Sequence, residues 1–413
     1  MQAAGEIIKG GNSGTMKILV LNCGSSSLKY QLIEMDGEKV LAKGLVERIG
    51  IEGSRIKHTK TGLDAVTREV PFPDHSAAIK YVLDILVDPK LGVLKNLDEL
   101  YATGHRVVHG GDKFTKSVLI TPEVVKGIED VIPLAPLHNP ANLQGIKAVM
   151  DVLPGKPNVA VFDTAFHQTM PPKAYIYGIP YECYEKDRIR RYGFHGTSHG
   201  YVAKRAAAIL GKDLKSIKMI TCHLGNGSSI TAIQDGKSID TSMGLGPSEG
   251  LIMGTRIGNA DSSVLIYLME HYGADKLNAV VNKQCGLLGI TGISSDLRDI
   301  EDAAEKGNER AKVAEEILVT GVKKYIGSYA AEMNGVDVIV FTAGIGENGI
   351  PFRKKVCENM EFLGIKFDAE KNNCRGKEVI ISAPDSKVTV MVVPTNEELA
   401  IARDTKKCVE EAK

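Results

Sequence analysis

Tryptophan is missing from the chain, and aromatic residues make up only 5% of it. Platforms that stack unpaired bases need aromatic side chains, so single-stranded nucleic acid is a poor fit. Net charge is missing too: 51 Lys and Arg face 51 Asp and Glu. No basic excess invites nucleic acid or an anionic membrane. No apolar run approaches the roughly 20 residues that cross a bilayer. The seven cysteines (Cys23, Cys183, Cys222, Cys285, Cys357, Cys374 and Cys408) are odd in number and form no CxxC. Neither a disulfide framework nor a zinc ribbon is supported, and a reducing, cytoplasmic compartment is the natural expectation. Residues 1–15 lack the basic end and apolar centre of a signal peptide, and they close in a Gly/Asn/Ser stretch. They read as a flexible extension outside the fold. After them no low-complexity segment occurs.

What is present fits a soluble globular protein: 43% hydrophobic and 25% charged residues over 413 positions. That length exceeds one ordinary core, which predicts two domains. One pattern occurs twice. ILVLNCGSSSLKYQLIE (18–34) is a hydrophobic strand, a Gly/Ser loop and an alternating strand, closed by Asp36-Gly37. KMITCHLGNGSSITAIQDG (218–236) repeats the plan and closes at Asp235-Gly236. A Walker loop would pass from strand into helix and end in Gly-Lys-Ser/Thr, so these loops are a different phosphate device at hairpin tips. Chance is the bland account, since hairpins are common. A duplication predicts two related α/β halves with a cleft between them, each half offering one loop of backbone N–H groups to an anion. Strands are predicted at 157–162, 336–341 and 388–393, and helices at 140–153, 198–210, 309–333 and 352–362. Ser198 reads as a cap for the second of these helices. Thr395 and Glu398 have capping-box spacing at the start of the last helix, which leaves Glu397 free.

Six stretches could carry chemistry. GHRVVHGG (104–111) sets Arg106 among glycines, as a carboxylate or phosphate clamp or a structural ion pair. PLAPLHNPAN (133–142) places His138 in a proline-stiffened turn, where a structural role is the more ordinary one. VFDTAFHQTMP (161–171) puts Asp163 at the end of an apolar strand, the position where α/β sheets gather ligand-handling residues. RRYGFHGTSH (190–199) holds His195 just before a helix, where a donor can face an anion. HLGNG (223–227) and TSMGLGPSEGLIMGTR (241–256) wrap glycines around Arg256. SSDLRD (294–299) and FTAGIGEN (341–348) add a strand with a glycine turn that would suit a nucleotide lying against backbone. Each alone is modest; together they point to a nucleotide phosphotransferase.

These stretches, with DTSMG, MGTR and PTNEELAIARDT, resemble the acetate kinase (acetokinase) family over essentially 16–407. The resemblance implies the acetate and sugar kinase/Hsp70/actin (ribonuclease H-like) fold: α/β, two duplicated domains and an interdomain cleft. The expected division is 16–163 plus 398–413 for the N-terminal domain, with the last helix returning to it. Residues 164–397 would form the nucleotide-binding and dimerisation domain. It further implies ATP as co-substrate, Mg²⁺ (with Mn²⁺ as a substitute), a short-chain carboxylate and a homodimer. By matching motif, Asn22 and Glu397 would stand at the metal and Lys29 would reach ATP phosphate. The nucleotide would be lined by His223, Leu224, Gly225, Asn226 and Gly227, by Asp296, Leu297 and Arg298, and by Gly344, Ile345, Gly346, Glu347 and Asn348. Arg106 would meet the carboxylate. Asp163, His195 and Arg256 would surround the phosphoryl group, with His138 in support. Val108, Leu137, Phe194 and Pro247 would form a small apolar pocket.

The chemistry agrees with that roster. A carboxylate, with an ordinary pKa near 4, is already ionised at neutral pH and needs no general base. It needs cations that let one anion approach another, which Arg106, Arg256 and a metal supply, with His195 donating to an equatorial oxygen. The family role of Asp163 is acid/base; the residue chemistry favours orientation of an arginine or water instead. The chain departs from the family at Gly200, at Gly246 and Ser248, and along 257–262, which bears on the loop of Arg256. Acetate phosphorylation to acetyl phosphate is the expected reaction. A propionate or broader short-chain carboxylate kinase is the alternative within the class. A non-catalytic ATP-gated module of the same fold is the alternative outside it.

Overall fold

A computed structural model describes residues 15–413; the expected extension lies outside them except for Thr15. The chain divides into two compact units. One runs through Ala165 and takes up Asn396–Lys413, and the other is Phe166–Thr395. The crossings fall two residues from the expected division, and Glu397 belongs to the first unit.

The first unit is built on an eight-stranded sheet. Its strands are β1 (Lys17–Cys23), β2 (Ser27–Glu34), β3 (Lys39–Glu47), β4 (Arg55–Lys60), β5 (Val66–Glu69), β6 (Leu100–Val107), β7 (Val118–Leu119) and β8 (Asn158–Phe162). They lie in the order β5-β4-β3-β2-β1-β6-β8-β7. The second unit has β9 (Met219–Leu224), β10 (Ser228–Gln234), β11 (Lys237–Thr241), β12 (Val338–Thr342), β13 (Val379–Ile380) and β14 (Thr389–Val392), in the order β11-β10-β9-β12-β14-β13.

The repeat seen in the sequence extends through both sheets. In the first, β1, β2 and β3 form an antiparallel meander, β1 runs parallel to β6 and β6 to β8, and β7 closes antiparallel. In the second, β9, β10 and β11 form the meander, β9 runs parallel to β12 and β12 to β14, and β13 closes antiparallel. Parallel strands covered on both faces carry continuous apolar runs: NVAVF in β8 and VIVFT in β12 are buried at every position.

Helices cover both faces of each sheet. In the first unit Leu19, Leu21 and Leu28 pack with Ile79, Val82 and Leu83 of helix His75–Leu86. The opposite face sets Ile18, Val20 and Val161 against Ile401 and Ala402 of the C-terminal helix Glu397–Glu411. That helix lies close to β6: a β-carbon at Gly104 would stand 2.4 Å from Thr405 Oγ1 and 2.8 Å from Ile401 Cγ2.

Three local expectations need correction. Helix Glu397–Glu411 is capped by Asn396, whose side chain accepts from Leu399 N at 3.0 Å, so the cap sits one residue beyond Thr395. Asparagine at 396 supplies the oxygen, and Glu397 becomes the first helical residue. Ser198 is no cap; helix Gly196–Ile209 starts two residues earlier, after His195 in a left-handed conformation (φ 55°). The helix expected over 352–362 ends at Cys357, because Asn359 turns left-handed (φ 58°) and only a short turn, Glu361–Leu363, follows. The other three helices form at Asn139–Val152, Gly196–Ile209 and Glu309–Glu332.

Candidate active-site residues

In the first unit, parallel pairing places Arg106 opposite Val161, so Arg106 and Asp163 emerge from the same ends of β6 and β8. Asp163 N donates to Val107 O at 3.0 Å, which fixes the aspartate at the strand end. Its buried carboxylate then takes both edges of a fork: Arg106 Nε donates to Oδ1 at 3.0 Å and Nη2 to Oδ2 at 2.6 Å. Nη1 is left for a third party. Asp163 raises the Arg106 pKa still further, so its charge is permanent.

Arg106 lines a groove of about 240 Å³ with Asn22, Lys29 and Glu397. Asn22 and Lys29 face each other across β1 and β2. Glu397 arrives on the first turn of the C-terminal helix. Burial pushes its carboxyl up to about 7; the Arg106 guanidinium pulls the other way, while the charges of Asp163 and Glu398 raise it. A half-buried carboxylate in that state calls for a cation. Among the described residues no group of three or more His, Cys, Asp or Glu could hold a metal. Asn22 and Glu397 are nonetheless the donor set Mg²⁺ accepts, since that ion takes one or two protein oxygens and fills its shell with water and phosphate.

The asparagines of PLAPLHNPAN brace the backbone on either side of Arg106 and Asn22. Asn142 Oδ1 accepts from Val108 N at 3.0 Å and its amide donates to Cys23 O at 2.8 Å. Asn139 makes the same two-way clasp with the backbone of His109. These two residues tie the hairpin tip of β1 to the loop after Arg106. They stood inside a quoted motif, but only the folded chain gives them work. His138 lies just before helix Asn139–Val152, with no side-chain cap bond. Val108 is buried, whereas Leu137 is half exposed.

The second unit gathers the other cations. A β-carbon at Gly227 would stand 3.2 Å from Arg256 Nη1 and 3.5 Å from His195 Nε2, so both side chains converge on one point that only glycine leaves open. Arg256 also donates from Nη1 to Pro247 O at 3.1 Å. Its loop is pinned by Gly254 N to Asn226 O and Cys285 N to Thr255 O. Asn259, within one of the departures from the family, exchanges bonds with both backbone groups of Gly250 and donates to Tyr325 Oη at 2.8 Å. The loop is stapled there. His195 stacks on His223, ring centres 4.0 Å apart. Phe194 is buried and its carbonyl accepts from His167 Nε2 at 2.8 Å. Asp163 lies with Arg106 in the first unit, and His195 and Arg256 lie in the second.

Next to Gly227 opens a cavity of about 1290 Å³, lined by Gly225, Asn226, Asp296, Arg298, Gly344 and Asn348 among others. Leu297 and Ile345 also reach it, while Leu224 is buried in the core. Asp296 caps helix Leu297–Glu305 and pairs with exposed Arg298 at 2.6 Å. In FTAGIGEN, Ala343 takes φ 64° and a short helix, Ala343–Asn348, follows. Two of its residues brace and do not line. Gly346 O accepts from fully buried Arg353 at 3.0 Å. Glu347 Oε1 accepts from Ala343 N at 2.9 Å and from Thr395 N at 3.0 Å. Arg353 and Glu347 are supports that sequence reasoning missed; a buried arginine on a basic-looking helix leaves no signal.

The sequence profile of the acetokinase family matches residues 17–403. The chain belongs to the acetokinase family. Over 400 residues it is 61% identical to the acetate kinase of Thermotoga maritima, covering 96% of this chain and 99% of that protein. The acetate kinase of Clostridioides difficile is 60% identical over 397 residues, 95% of this chain and all of that one. Among solved structures, Porphyromonas gingivalis acetate kinase matches with a TM-score of 0.92 at 54% identity, covering 95% of this chain and 100% of that one. A propionate kinase from Francisella tularensis matches at 0.88 and 44% identity, over 95% and 99%. The two-sheet α/β architecture of this acetokinase is therefore the fold of its family. No helix among the described residues is long and apolar enough to cross a membrane.

Proposed function

We propose that this acetokinase catalyses the reversible transfer of the terminal phosphoryl group of ATP to acetate, directly and in line, giving acetyl phosphate and ADP. The observation that carries the reading is Arg106: a permanent cation whose one edge is locked by Asp163, leaving Nη1 to a substrate carboxylate in the groove that Asn22 and Glu397 also line. Relatives about 60% identical and bearing the name acetate kinase support the choice of acetate.

The reaction asks each unit for one set of reactants. The first holds the carboxylate at Arg106 and offers Lys29 to a phosphate. The second takes the nucleotide along Gly225–Gly227, Asp296–Arg298 and Gly344, Ile345 and Asn348, with Gly346 and Glu347 bracing the turn. Arg256 and His195 donate to the transferring phosphoryl group at the point kept open by Gly227. Charge neutralisation, with no proton abstraction from the acceptor, is the main catalytic effect. Asn22 and Glu397 would hold Mg²⁺, which supplies further neutralisation of phosphate charge when bound. Asp163 orients Arg106. Val108, Leu137, Phe194 and Pro247 bound the space for the acyl chain.

A homodimer in the cytoplasm completes the proposal. Helix Ser262–Tyr272 (SSVLIYLMEHY) buries none of its residues, and Val264, Ile266, Tyr267 and Tyr272 are all exposed. So apolar a helix suits contact with a second copy.

The test is hydroxylamine trapping of acyl phosphate formed from ATP with acetate, propionate or butyrate, alongside Arg256→Ala. Trapped product with acetate, lost in the variant, is expected. ATP binding without any acyl phosphate would leave the non-catalytic module as the reading. The match to a propionate kinase gives the second reading within the class. Val108→Ala should raise propionate turnover relative to acetate by about tenfold, the scale of one methylene; an unchanged ratio removes Val108 from specificity.

A further inference from the structure

His199 carries no role in the reaction proposed above, yet it is wired to His195. It lies in the first turn of helix Gly196–Ile209 and is wholly buried, as are Thr221 and Ser229. Its Nδ1 meets Thr221 Oγ1 at 2.7 Å and its Nε2 meets Ser229 Oγ at 2.7 Å. The same Ser229 Oγ meets His195 Nδ1 at 2.9 Å. The chain Thr221, His199, Ser229, His195 is therefore continuous. It ends at the ring whose other nitrogen faces Arg256 across Gly227.

One hydroxyl between two ring nitrogens imposes a rule. Ser229 has a single proton, and among the described residues its hydroxyl meets only these two nitrogens, so it donates to one ring and accepts from the other. Burial holds the His199 pKa well below the usual histidine range, and the neighbouring His167 and His223 lower it too. His199 therefore stays neutral, with one N–H to place. Buried Thr221 Oγ1 meets only His199 Nδ1 among the described residues, so its proton goes there; the N–H of His199 then sits on Nε2 and goes to Ser229. Ser229 must then donate to Nδ1 of His195. A neutral His195 accepting there carries its own proton on Nε2, as a donor toward the point shared with Arg256.

We propose that His199 is a positioning residue for phosphoryl transfer: through Ser229 it fixes the proton of neutral His195 on Nε2. The inference rests on the kinase reading only for its consequence, since the tautomer itself is a property of the free protein. The titratable and charged groups near the pair include His167, His223 and Arg256. The rings of His167 and His223 stand 5.8 Å and 5.9 Å from His199. The relay serves the transition state because a neutral ring with a fixed N–H can donate without waiting for a solvent proton.

The experiment is ¹⁵N NMR of the imidazole rings in the full-length chain, with kcat against pH on the same samples. In the unaltered protein His195 should show a bare Nδ1 and a protonated Nε2 above its pKa. His199→Phe should mix the two tautomers and lower kcat about tenfold, one RT-scaled decade, with KM for ATP and acetate within about twofold. His199→Gln can accept from Thr221 and donate to Ser229, so it should restore both readouts. Should His199→Phe fail to fold, Ser229→Ala and Thr221→Val give the same tautomer measurement. A His195 protonated on Nδ1 in the unaltered protein overturns the proposal. So does a tautomer untouched by His199→Phe and Ser229→Ala. Absence of trapped acyl phosphate alongside the expected tautomer would refute the kinase reading and leave the relay standing.

Discussion

Thr405 leaves no room for a side chain at Gly104: a β-carbon there would stand 2.4 Å from its Oγ1. One glycine of β6 thus sets how closely the C-terminal helix approaches the first sheet, and that helix begins with Glu397. Gly104→Ala should push the helix outward. Overpacking of this kind costs about 1–3 kcal/mol, and the displaced Glu397 should raise the Mg²⁺ concentration needed for half-maximal activity. Thermal unfolding and a magnesium titration check both; an unchanged magnesium response would show that the helix start is indifferent to its packing.

The fork between Arg106 and Asp163 separates orientation from acid/base work. Asp163→Asn keeps one hydrogen bond to the guanidinium and removes the charge. The expected result is a raised KM for acetate, about tenfold, with a largely preserved kcat and no solvent isotope effect on the chemical step. Arg106→Lys should do worse, because an ammonium cannot be gripped along two parallel bonds. A solvent-proton-dependent chemical step in the unaltered enzyme, lost in Asp163→Asn, would return Asp163 to the acid/base role.

Glu347 belongs to a stretch that reads as nucleotide-binding, but its carboxylate is spent on the amides of Ala343 and Thr395. Glu347→Ala should therefore lower stability by about 2–3 kcal/mol, the range for hydrogen bonds to charged groups left unmade. It should raise KM for ATP only through the slackened turn. Chemical denaturation alongside ATP kinetics would tell; full stability with lost ATP binding would make Glu347 a direct contact after all.

His105, beside Arg106, predicts an acid limit. It is buried, its Nε2 donates to Asn158 Oδ1 at 2.9 Å, and burial lowers its pKa from 6.5 to about 4. As pH falls through 6.5 the unfolded chain takes up a proton that the folded ring refuses until about 4. The stability involved is intact above 6.5 and disappears between those limits, amounting to roughly 3 kcal/mol. Unfolding midpoints of the unaltered chain and of His105→Gln, measured from pH 7 to pH 4, should converge in the acid range. Parallel curves would exclude His105.

The hairpins, the apolar strands and the place of Asp163 were legible because they are local. Alternation and strand-end position need only neighbouring residues. The same holds for Arg106 and Arg256, marked by the glycines around them. What stayed hidden depends on distant partners. His199 looks like one more polar residue of HGTSH until β9 and β10 bring Thr221 and Ser229 against it. Asn396 outbids Thr395 as a cap by a single position, a margin that spacing alone does not resolve. Helix Ser262–Tyr272 is not among the expected helices, and it buries none of its residues.

The second unit is inserted within the first, which needs residues from both ends of the insertion. During synthesis, Phe166–Thr395 can be completed while Ile18, Val20 and Val161 still lack Ile401 and Ala402. One face of the earlier-made sheet therefore waits bare on the ribosome until helix Glu397–Glu411 emerges. That interval exposes apolar surface of the kind that recruits chaperones or aggregates, so the arrival of helix Glu397–Glu411 governs when the nascent first unit becomes safe.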